Sequence, residues 1–240
     1  MANRQRAEAR RKAAAKAARS QEGGSKTLLF VVLGVAAVIA VVVGVIAASG
    51  GDDSTATDTT GSSVLTLPDS QPVTVEGDTL ATYDPAVTDD PAIGATAPRL
   101  SGLNFNGQPI EINADDGAYM VVFLAHWCPH CNNEVPRLLD WKHSGQVPAD
   151  LRVIGVGTAV DPNADYYPPA DWFANKGWEW PVMVDESLGA RTAGKAAAAF
   201  GASGWPYLVI VGADGTVKAR VSGEVEIADL QKIVDDALTS

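Results

Sequence analysis

The sequence predicts an α/β domain that follows a single N-terminal membrane-spanning helix. Strand-like apolar segments alternate with helical ones from about residue 93 to the C-terminus. An uncharged apolar segment, residues 28–48, lies near the N-terminus. Alternating strands and helices are typical of an α/β sandwich, and about 20 apolar residues are enough to cross a bilayer as a helix.

Residues 1–27 are predicted to be a basic cytoplasmic tail, and residues 28–48 the transmembrane helix. Residues 1–26 carry eight basic and two acidic side chains. Positive charge before an apolar segment favours a cytoplasmic N-terminus, so the rest of the chain is expected outside the cytoplasm, as a single-pass protein of the cell membrane. A cleaved signal peptide is the competing interpretation, but its apolar region would be only about 7–15 residues long.

The charge inverts after this segment. The remaining chain has 10 basic and 27 acidic residues, so its net charge is −17. Such an acidic surface makes nucleic acid an unfavourable partner. Residues 49–92 are predicted to be a low-complexity linker with a weakly ordered segment, because residues 49–63 are small and polar and prolines interrupt residues 64–92.

The compact domain is predicted to span residues 93–240. The apolar run at 119–125 is typical of a central strand that is covered on both faces. The predicted elements are, in order, a hairpin at 100–112 with its turn at Asn106-Gly107, a strand at 119–125, a helix at 129–143, a strand at 151–158, a helix at 171–177, a strand at 180–185, a helix at 187–200, a hairpin at 207–222 and a helix at 226–238.

Cys128 and Cys131 are the only cysteines of the chain, and they are separated by two residues. A stabilising disulfide has more effect when it closes a longer loop, so this spacing suits a structural staple poorly. A zinc site needs about four ligands, and His126 and His130 lie too close to the cysteines to complete a tetrahedron easily. No metal is therefore expected, and the pair predicts reversible dithiol–disulfide chemistry.

Each residue of the Cys-Pro-His-Cys segment has a predicted role. Cys128 lies where a buried strand leads into a helix, and the helix dipole lowers the pKa of a thiol there. Pro129 suits the first turn of a helix. His130 favours the thiolate when it carries charge or donates a hydrogen bond; the alternative is an exposed histidine without electronic effect. Cys131, one turn later, would attack the mixed disulfide.

The segment Trp127–Cys131, with Glu134 and Pro136 after it, resembles the thioredoxin superfamily. It is most similar to the TlpA/ResA-like branch of membrane-anchored thiol–disulfide oxidoreductases. The similarity extends to three other motifs, Gly94–Pro98, Gly204-Trp205-Pro206 and Ala213-Asp214-Gly215. The resemblance implies a thioredoxin-like fold, with a central mixed sheet flanked by helices and an N-terminal hairpin addition.

The resemblance also implies roles for individual residues. Glu134 is the proton handler, and Pro206 is a cis proline that pairs with the substrate backbone. Trp127 belongs with Pro129 and His130 among the residues that tune the cysteines. An exposed Glu134 that only favours the helix dipole, and an ordinary trans Pro206, are the alternatives.

The sequence departs from the family pattern at two positions. His126 stands where a small Ser or Thr is usual, and we interpret it, like His143, as a surface or cap residue. Trp205 stands before the expected cis proline, where Thr, Val or Ile is usual. A tryptophan at that position would cover the disulfide and belongs to the predicted substrate-binding surface.

The function implied is an extracytoplasmic thiol–disulfide oxidoreductase that exchanges electrons with cysteine pairs of exported proteins. The family suggests a reductase, for example of apocytochrome c, which needs a membrane thiol–disulfide partner to supply electrons but no small-molecule cofactor. The Pro-His dipeptide is shared with DsbA-like disulfide-forming oxidases and favours the opposite direction. A peroxiredoxin-type peroxidase would have Thr where this chain has Ala125. A non-catalytic binding module tethered at the membrane is the remaining alternative.

Overall fold

The computed structural model describes residues 68–240. The predicted cytoplasmic tail, the predicted transmembrane helix and the first part of the predicted linker, to residue 67, lie outside these residues. Among the described residues, no helix has both the length and the apolar character needed to cross a membrane.

Residues 68–240 form eight strands and four helices, most of them at the predicted places. The strands are β1 Thr74–Glu76, β2 Arg99–Leu103, β3 Pro109–Ile112, β4 Tyr119–Leu124, β5 Arg152–Gly157, β6 Val182–Val184, β7 Tyr207–Val211 and β8 Val217–Ser222. The helices are α1 Pro129–His143, α2 Pro169–Asn175, α3 Lys195–Ala199 and α4 Ile227–Thr239.

The main sheet is mixed and has the strand order β6-β5-β4-β7-β8. Strands β4, β5 and β6 run parallel, whereas β7 is antiparallel to both β4 and β8. All six residues of β4 are buried, as the apolar run predicted. The predicted mixed sheet flanked by helices is confirmed.

The two faces of β4 belong to two different cores, because neighbouring side chains of a strand point to opposite faces. Met120, Val122 and Leu124 pack with α1 and α4. Tyr119, Val121 and Phe123 pack with α3 and with the smaller sheet. Cys128 and Cys131, which follow β4, belong to the core on the α1 side of the sheet.

A second sheet has three strands, in the order β1-β2-β3, all antiparallel. It contains the predicted hairpin, whose turn places Gly107 at φ 76 and lets the Gly107 N–H donate to the Asn104 carbonyl at 3.0 Å. The third strand, β1, comes from the region that the sequence predicted to be linker. It pairs with β2 through three residues.

Segment 69–92 packs on the domain, and the structure differs here from the predicted weak order and from a domain start at residue 93. Val73 and Leu80 are buried in the core, and the Leu80 N–H donates to the Ala199 carbonyl at 2.9 Å. Asp90 pairs with the guanidinium of Arg220, whose side chain is fully buried. Pro85 and Pro91 lie in turns of this segment, where proline is common, so they did not indicate disorder.

The helix predicted at 187–200 begins only at Lys195. The carboxylate of Asp185 accepts hydrogen bonds from the N–H groups of Ala196 at 2.7 Å and Ala197 at 3.2 Å, which fixes the helix start. A Cβ atom at Gly194 would collide with this carboxylate. Helical periodicity alone missed this tertiary contact.

Candidate active site

Cys128 and Cys131 lie at the start of α1, four residues after β4 ends. Cys128 is the N-cap residue and Pro129 begins the helix, as predicted. Both cysteines are free thiols; Cys128 is 5% exposed and Cys131 is not exposed at all. The Ala125 N–H points at the sulfur of Cys131, at 3.4 Å. The order of burial agrees with an attacking Cys128 and a protected Cys131.

The pKa values of the two thiols are shifted in opposite directions. The hydrogen bond from Cys131 is the largest influence on Cys128 and, with the backbone N–H groups of Cys131 and His130, lowers its pKa to about 6. Burial raises the pKa of Cys131 well above its ordinary value, and the Cys128 sulfur raises it further. Near neutral pH the pair therefore holds one thiolate, on Cys128, and one thiol.

Glu134 is completely buried one turn after Cys131. Burial raises its pKa to about 7, against the lowering effect of the Val225 N–H, which donates to Oε2 at 3.2 Å. Its Oε1 has no hydrogen-bond partner among the described residues. The carboxyl group can therefore hold or release a proton near neutral pH, and its charge raises the pKa of the buried Cys131 thiol.

Pro206 follows a cis peptide bond, so that prediction from the resemblance is confirmed. The carbonyl of the preceding Trp205 lies 3.5 Å from the sulfur of Cys128 and can accept a hydrogen bond only when that sulfur is protonated. The Trp205 side chain is half-buried and packs against both cores. The segment thus borders the attacking sulfur.

Trp127, the residue before Cys128, is half-buried and is held by contacts with the loop that follows β5. Its indole N–H donates to the Ala159 carbonyl at 2.6 Å. The guanidinium of Arg191 lies over the indole ring, 4.8 Å from its centre, and pairs with Asp161 at 2.7 Å. A cation–π contact to an unpredicted arginine therefore holds the residue before Cys128.

His126 is buried, with 1% of its surface exposed, which corrects its interpretation as a surface or cap residue. Its Nδ1 bonds to the Asp165 carbonyl at 2.9 Å, and its Nε2 accepts from the Asp161 N–H at 3.3 Å. These bonds need a neutral ring, and burial lowers the pKa accordingly. A Ser or Thr could not span both groups of this loop. His143 is exposed, as predicted, and contacts Glu179.

Asn132 is a site residue that sequence reasoning missed. Its side-chain amide donates to the carbonyls of His126 at 3.2 Å and Cys128 at 3.1 Å. Its amide oxygen accepts from the indole N–H of Trp172 at 3.0 Å. Asn132 therefore fixes the loop on either side of Trp127. Only its position next to Cys131 could have indicated this.

Glu224 is the second missed residue, and it lies 94 positions after His130 in the chain. Its carboxylate is 2.7 Å from the Nδ1 of His130, and this contact raises the pKa of the histidine. The predicted tuning residues Trp127, Pro129 and His130 thus lie next to Cys128 in the chain, and two of them, Trp127 and His130, have partners that the sequence did not predict.

Within residues 68–240, no group of three or more His, Cys, Asp or Glu side chains is placed to hold a metal ion. The tryptophans that follow α1 belong mainly to the core: Trp172 is 3% exposed, and Trp178 and Trp180 pack edge-on with ring centres 5.0 Å apart.

Comparison with solved structures finds similar folds. A DsbF homologue from Corynebacterium diphtheriae is 20% identical, with a TM-score of 0.50, over 65% of this chain and 98% of that chain. A thioredoxin-family thiol:disulfide interchange protein from Chlorobium tepidum is 25% identical, with a TM-score of 0.47, over 59% of this chain and 94% of that chain. StoA from Bacillus subtilis is 15% identical, with a TM-score of 0.46, over 60% of this chain and 98% of that chain.

The likeness to the DsbF homologue is one of fold, and with the mixed central sheet it shows a thioredoxin-like α/β architecture. A search of curated proteins found no match. The model of the AhpC/TSA family matches residues 93–220, more than half of the chain. This match includes β2 to β7, the first four residues of β8, α1 and both cysteines, and the chain belongs to the AhpC/TSA family.

Proposed function

We propose that this protein is an extracytoplasmic thiol–disulfide oxidoreductase that reduces disulfides of exported proteins through its Cys-Pro-His-Cys segment. The observation that carries this proposal is the lowered pKa of Cys128 beside the raised pKa of Cys131, one helical turn apart. A thiol of low pKa attacks well, because the thiolate is the nucleophile. A buried thiol of high pKa stays protonated until a mixed disulfide lies beside it.

The first step is attack by the Cys128 thiolate on one sulfur of a client disulfide. A bond forms between Cys128 and that sulfur, the client disulfide breaks, and the second client sulfur leaves as a thiolate that takes up a proton. The product is a mixed disulfide. Thiolate formation at Cys128 near neutral pH, through its pKa of about 6, favours this step.

The second step resolves the mixed disulfide. Cys131 passes its proton to the carboxylate of Glu134 and attacks the sulfur of Cys128. The client then leaves as a thiolate, and Cys128 and Cys131 form a disulfide, so two electrons have moved to the client. Glu134, with a pKa of about 7, can accept a proton and later return it.

The client backbone is proposed to lie along Trp205 and Pro206. The Trp205 carbonyl is 3.5 Å from the attacking sulfur, and an extended client chain passing there would bring its disulfide to Cys128. The half-buried Trp205 ring would contact apolar client residues next to their cysteines. Trp205→Val, which installs a residue usual in the family, is expected to raise KM more than it lowers kcat.

The electrons must be resupplied after each turnover. We propose that residues 28–48 anchor the protein as a single-pass helix, with residues 1–27 in the cytoplasm, and that a membrane thiol–disulfide protein reduces the Cys128–Cys131 disulfide. The apolar length of the segment and its basic flank support this placement. The resemblance to the TlpA/ResA-like branch supports the reductase direction and clients such as apocytochrome c.

A disulfide-forming oxidase is the second candidate, and one observation favours it. A stabilised Cys128 thiolate stabilises the reduced pair and so makes the disulfide a stronger oxidant. The lowered pKa of Cys128, to which the charge of His130 contributes, has this effect. The two directions differ only in the reduction potential of the pair and in the redox state maintained by its partner.

Peroxide reduction is the alternative that the family description raises. Position 125 is a buried Ala, which has no hydroxyl group to bind a peroxide. We expect hydrogen peroxide to oxidise the pair far more slowly than a protein disulfide does. Faster turnover with peroxide would replace the present proposal with a peroxidase.

The proposal is tested by trapping the mixed disulfide. In full-length protein with Cys131→Ser, Cys128 should accumulate a covalent adduct with a disulfide-containing substrate such as insulin, and excess dithiol should release it. With Cys128→Ser no adduct should form. If neither variant is trapped and wild type does not reduce insulin, the chain is not an exchange enzyme, and a tethered binding module becomes the better account.

A further inference from the structure

Glu224 lies in the loop between β8 and α4 and reaches across to the active-site helix. We propose that Glu224 is a positioning residue that sets the thiolate character of Cys128 by holding His130 as an imidazolium cation beside it. This inference rests on the proposed use of Cys128 and Cys131 as an exchanging pair.

The loop is fixed to the same segment that borders Cys128. Gly223 adopts φ 93, which is the left-handed region that favours glycine. Its N–H donates to the carbonyl of Pro206 at 2.8 Å. The residue after this turn, Glu224, is thereby directed at α1 from the side of the cis proline.

Three side chains of α1 hold the Glu224 carboxylate. Oε1 is 2.7 Å from Nδ1 of His130 and accepts from the Asn133 amide at 3.0 Å. Oε2 is 3.2 Å from the guanidinium of Arg137. The Glu224 side chain is only 23% exposed, whereas that of His130 is 66% exposed. The carboxylate is therefore the fixed partner, and the histidine would otherwise be free to rotate.

The charge on this carboxylate decides the charge on the imidazole. An unperturbed histidine has a pKa of about 6.5 and is mostly neutral at neutral pH. The hydrogen bond to Glu224 raises the pKa of His130, and the nearby Cys128 raises it further. His130 and Asn133 in turn lower the pKa of Glu224. These contacts favour a protonated imidazole between two anions, and the charge of His130 is one of the influences that lower the pKa of Cys128.

The other charged groups around Glu224 provide a matched control. Arg137 also contacts Glu134 at 3.7 Å and Glu226 at 3.5 Å. Glu226 is 74% exposed and has no contact with His130. Glu224→Gln and Glu226→Gln therefore remove the same charge from the same loop and from the same arginine, but only the first removes it from His130.

The experiment measures the pKa of Cys128 in reduced full-length protein by the ultraviolet absorbance of the thiolate. It also measures the equilibrium constant of the pair with glutathione. Glu224→Gln should raise the pKa by about half a unit to one unit and shift the equilibrium towards the disulfide by about 3- to 10-fold, where tenfold corresponds to about 30 mV. Glu226→Gln should change neither value, and Glu224→Asp should keep most of the wild-type pKa.

A double-mutant cycle identifies the route. In a His130→Gln background, Glu224→Gln should have no further effect on the pKa of Cys128. An unchanged pKa in Glu224→Gln alone, or an equal effect with and without His130, would overturn the inference. A wild-type pair that does not equilibrate with glutathione would instead overturn the proposed function, so the two failures are distinguishable.

Discussion

The ammonium group of Lys176 donates a hydrogen bond of 3.1 Å to the main-chain carbonyl of Asn132. In a regular α-helix the N–H of residue 136 would bond this carbonyl, but Pro136 has no N–H. The lysine that follows α2 thus supplies the donor that proline removes from α1. This contact lies one residue after Cys131 and joins the two helices beside the active site.

Lys176→Met should lower the free energy of unfolding by about 1–2 kcal/mol, because it leaves a partly buried carbonyl without a donor. Urea unfolding measures this loss. Lys232→Met is the control, since Lys232 and Asp236 form an exposed pair, and its effect should stay within about 0.5 kcal/mol. Equal losses in the two variants would contradict the role of Lys176.

Pro136→Ala should make Lys176 dispensable, because alanine restores the missing N–H to α1. In the Pro136→Ala background, Lys176→Met should lower the free energy of unfolding by less than half of its effect in wild type. The measurement is a double-mutant cycle of unfolding free energies. Purely additive effects would show that Lys176 and the helix N–H do not serve the same carbonyl.

Glu134→Gln should change how stability depends on pH. The folded-state pKa of Glu134 is raised from 4.5 to about 7, so between these values the folded chain binds a proton that the unfolded chain releases. Wild-type stability therefore falls as pH rises through this range, by on the order of 2–3 kcal/mol for this group. In Glu134→Gln the side chain does not titrate, so this loss of stability with rising pH should be missing.

The difference between the two unfolding free energies should thus grow in favour of Glu134→Gln from pH 4.5 to pH 7.5. The disulfide form is used for urea unfolding, so that the thiols do not titrate. Asp236→Asn, on an exposed side chain of α4, is the control. A difference that stays constant with pH would show that Glu134 has an ordinary acidity.

Asp90→Asn tests whether segment 69–92 is part of the domain. The variant leaves the fully buried guanidinium of Arg220 without its anion, which should cost about 3–5 kcal/mol of unfolding free energy. Asp115→Asn breaks an exposed pair with Arg99 and should cost at most about 1 kcal/mol. Equal costs would mean that the segment does not stabilise the domain.

The same pair predicts a pH effect. Arg220 lowers the pKa of Asp90 below 3.8, so the stabilisation is complete above that value and is lost as pH falls through the lowered pKa. Acid unfolding of Asp90→Asn should therefore lack the part of the transition that lies below pH 3.8 in wild type. An identical acid transition in both proteins would contradict the assignment.

Local patterns in the sequence were sufficient to predict the main sheet and the cysteine helix. The unbroken apolar run of β4 and the proline after Cys128 fixed a buried strand and a helix start, and the structure has both. The cis bond before Pro206 followed from the resemblance. These features depend on neighbouring residues, which the sequence shows directly.

Contacts between distant residues could not be predicted in this way. Glu224 and His130 are 94 positions apart, and Arg220 and Asp90 are 130 apart, so neither pair leaves a local pattern. The burial of His126 was not predicted, because its two backbone partners, Asp165 and Asp161, lie in a distant loop. The late start of α3 was not predicted either, because it depends on the buried carboxylate of Asp185, 11 residues before Ala196.

Cys128 and Cys131 are proposed to form an exchanging pair that donates electrons to client disulfides. The most direct measurement is the reduction potential of this pair in the full-length protein, by equilibration with glutathione. We expect a potential of about −250 mV or lower, the range of an electron donor in an oxidising compartment. A value near about −120 mV would contradict the reductase direction and identify a disulfide-forming oxidase.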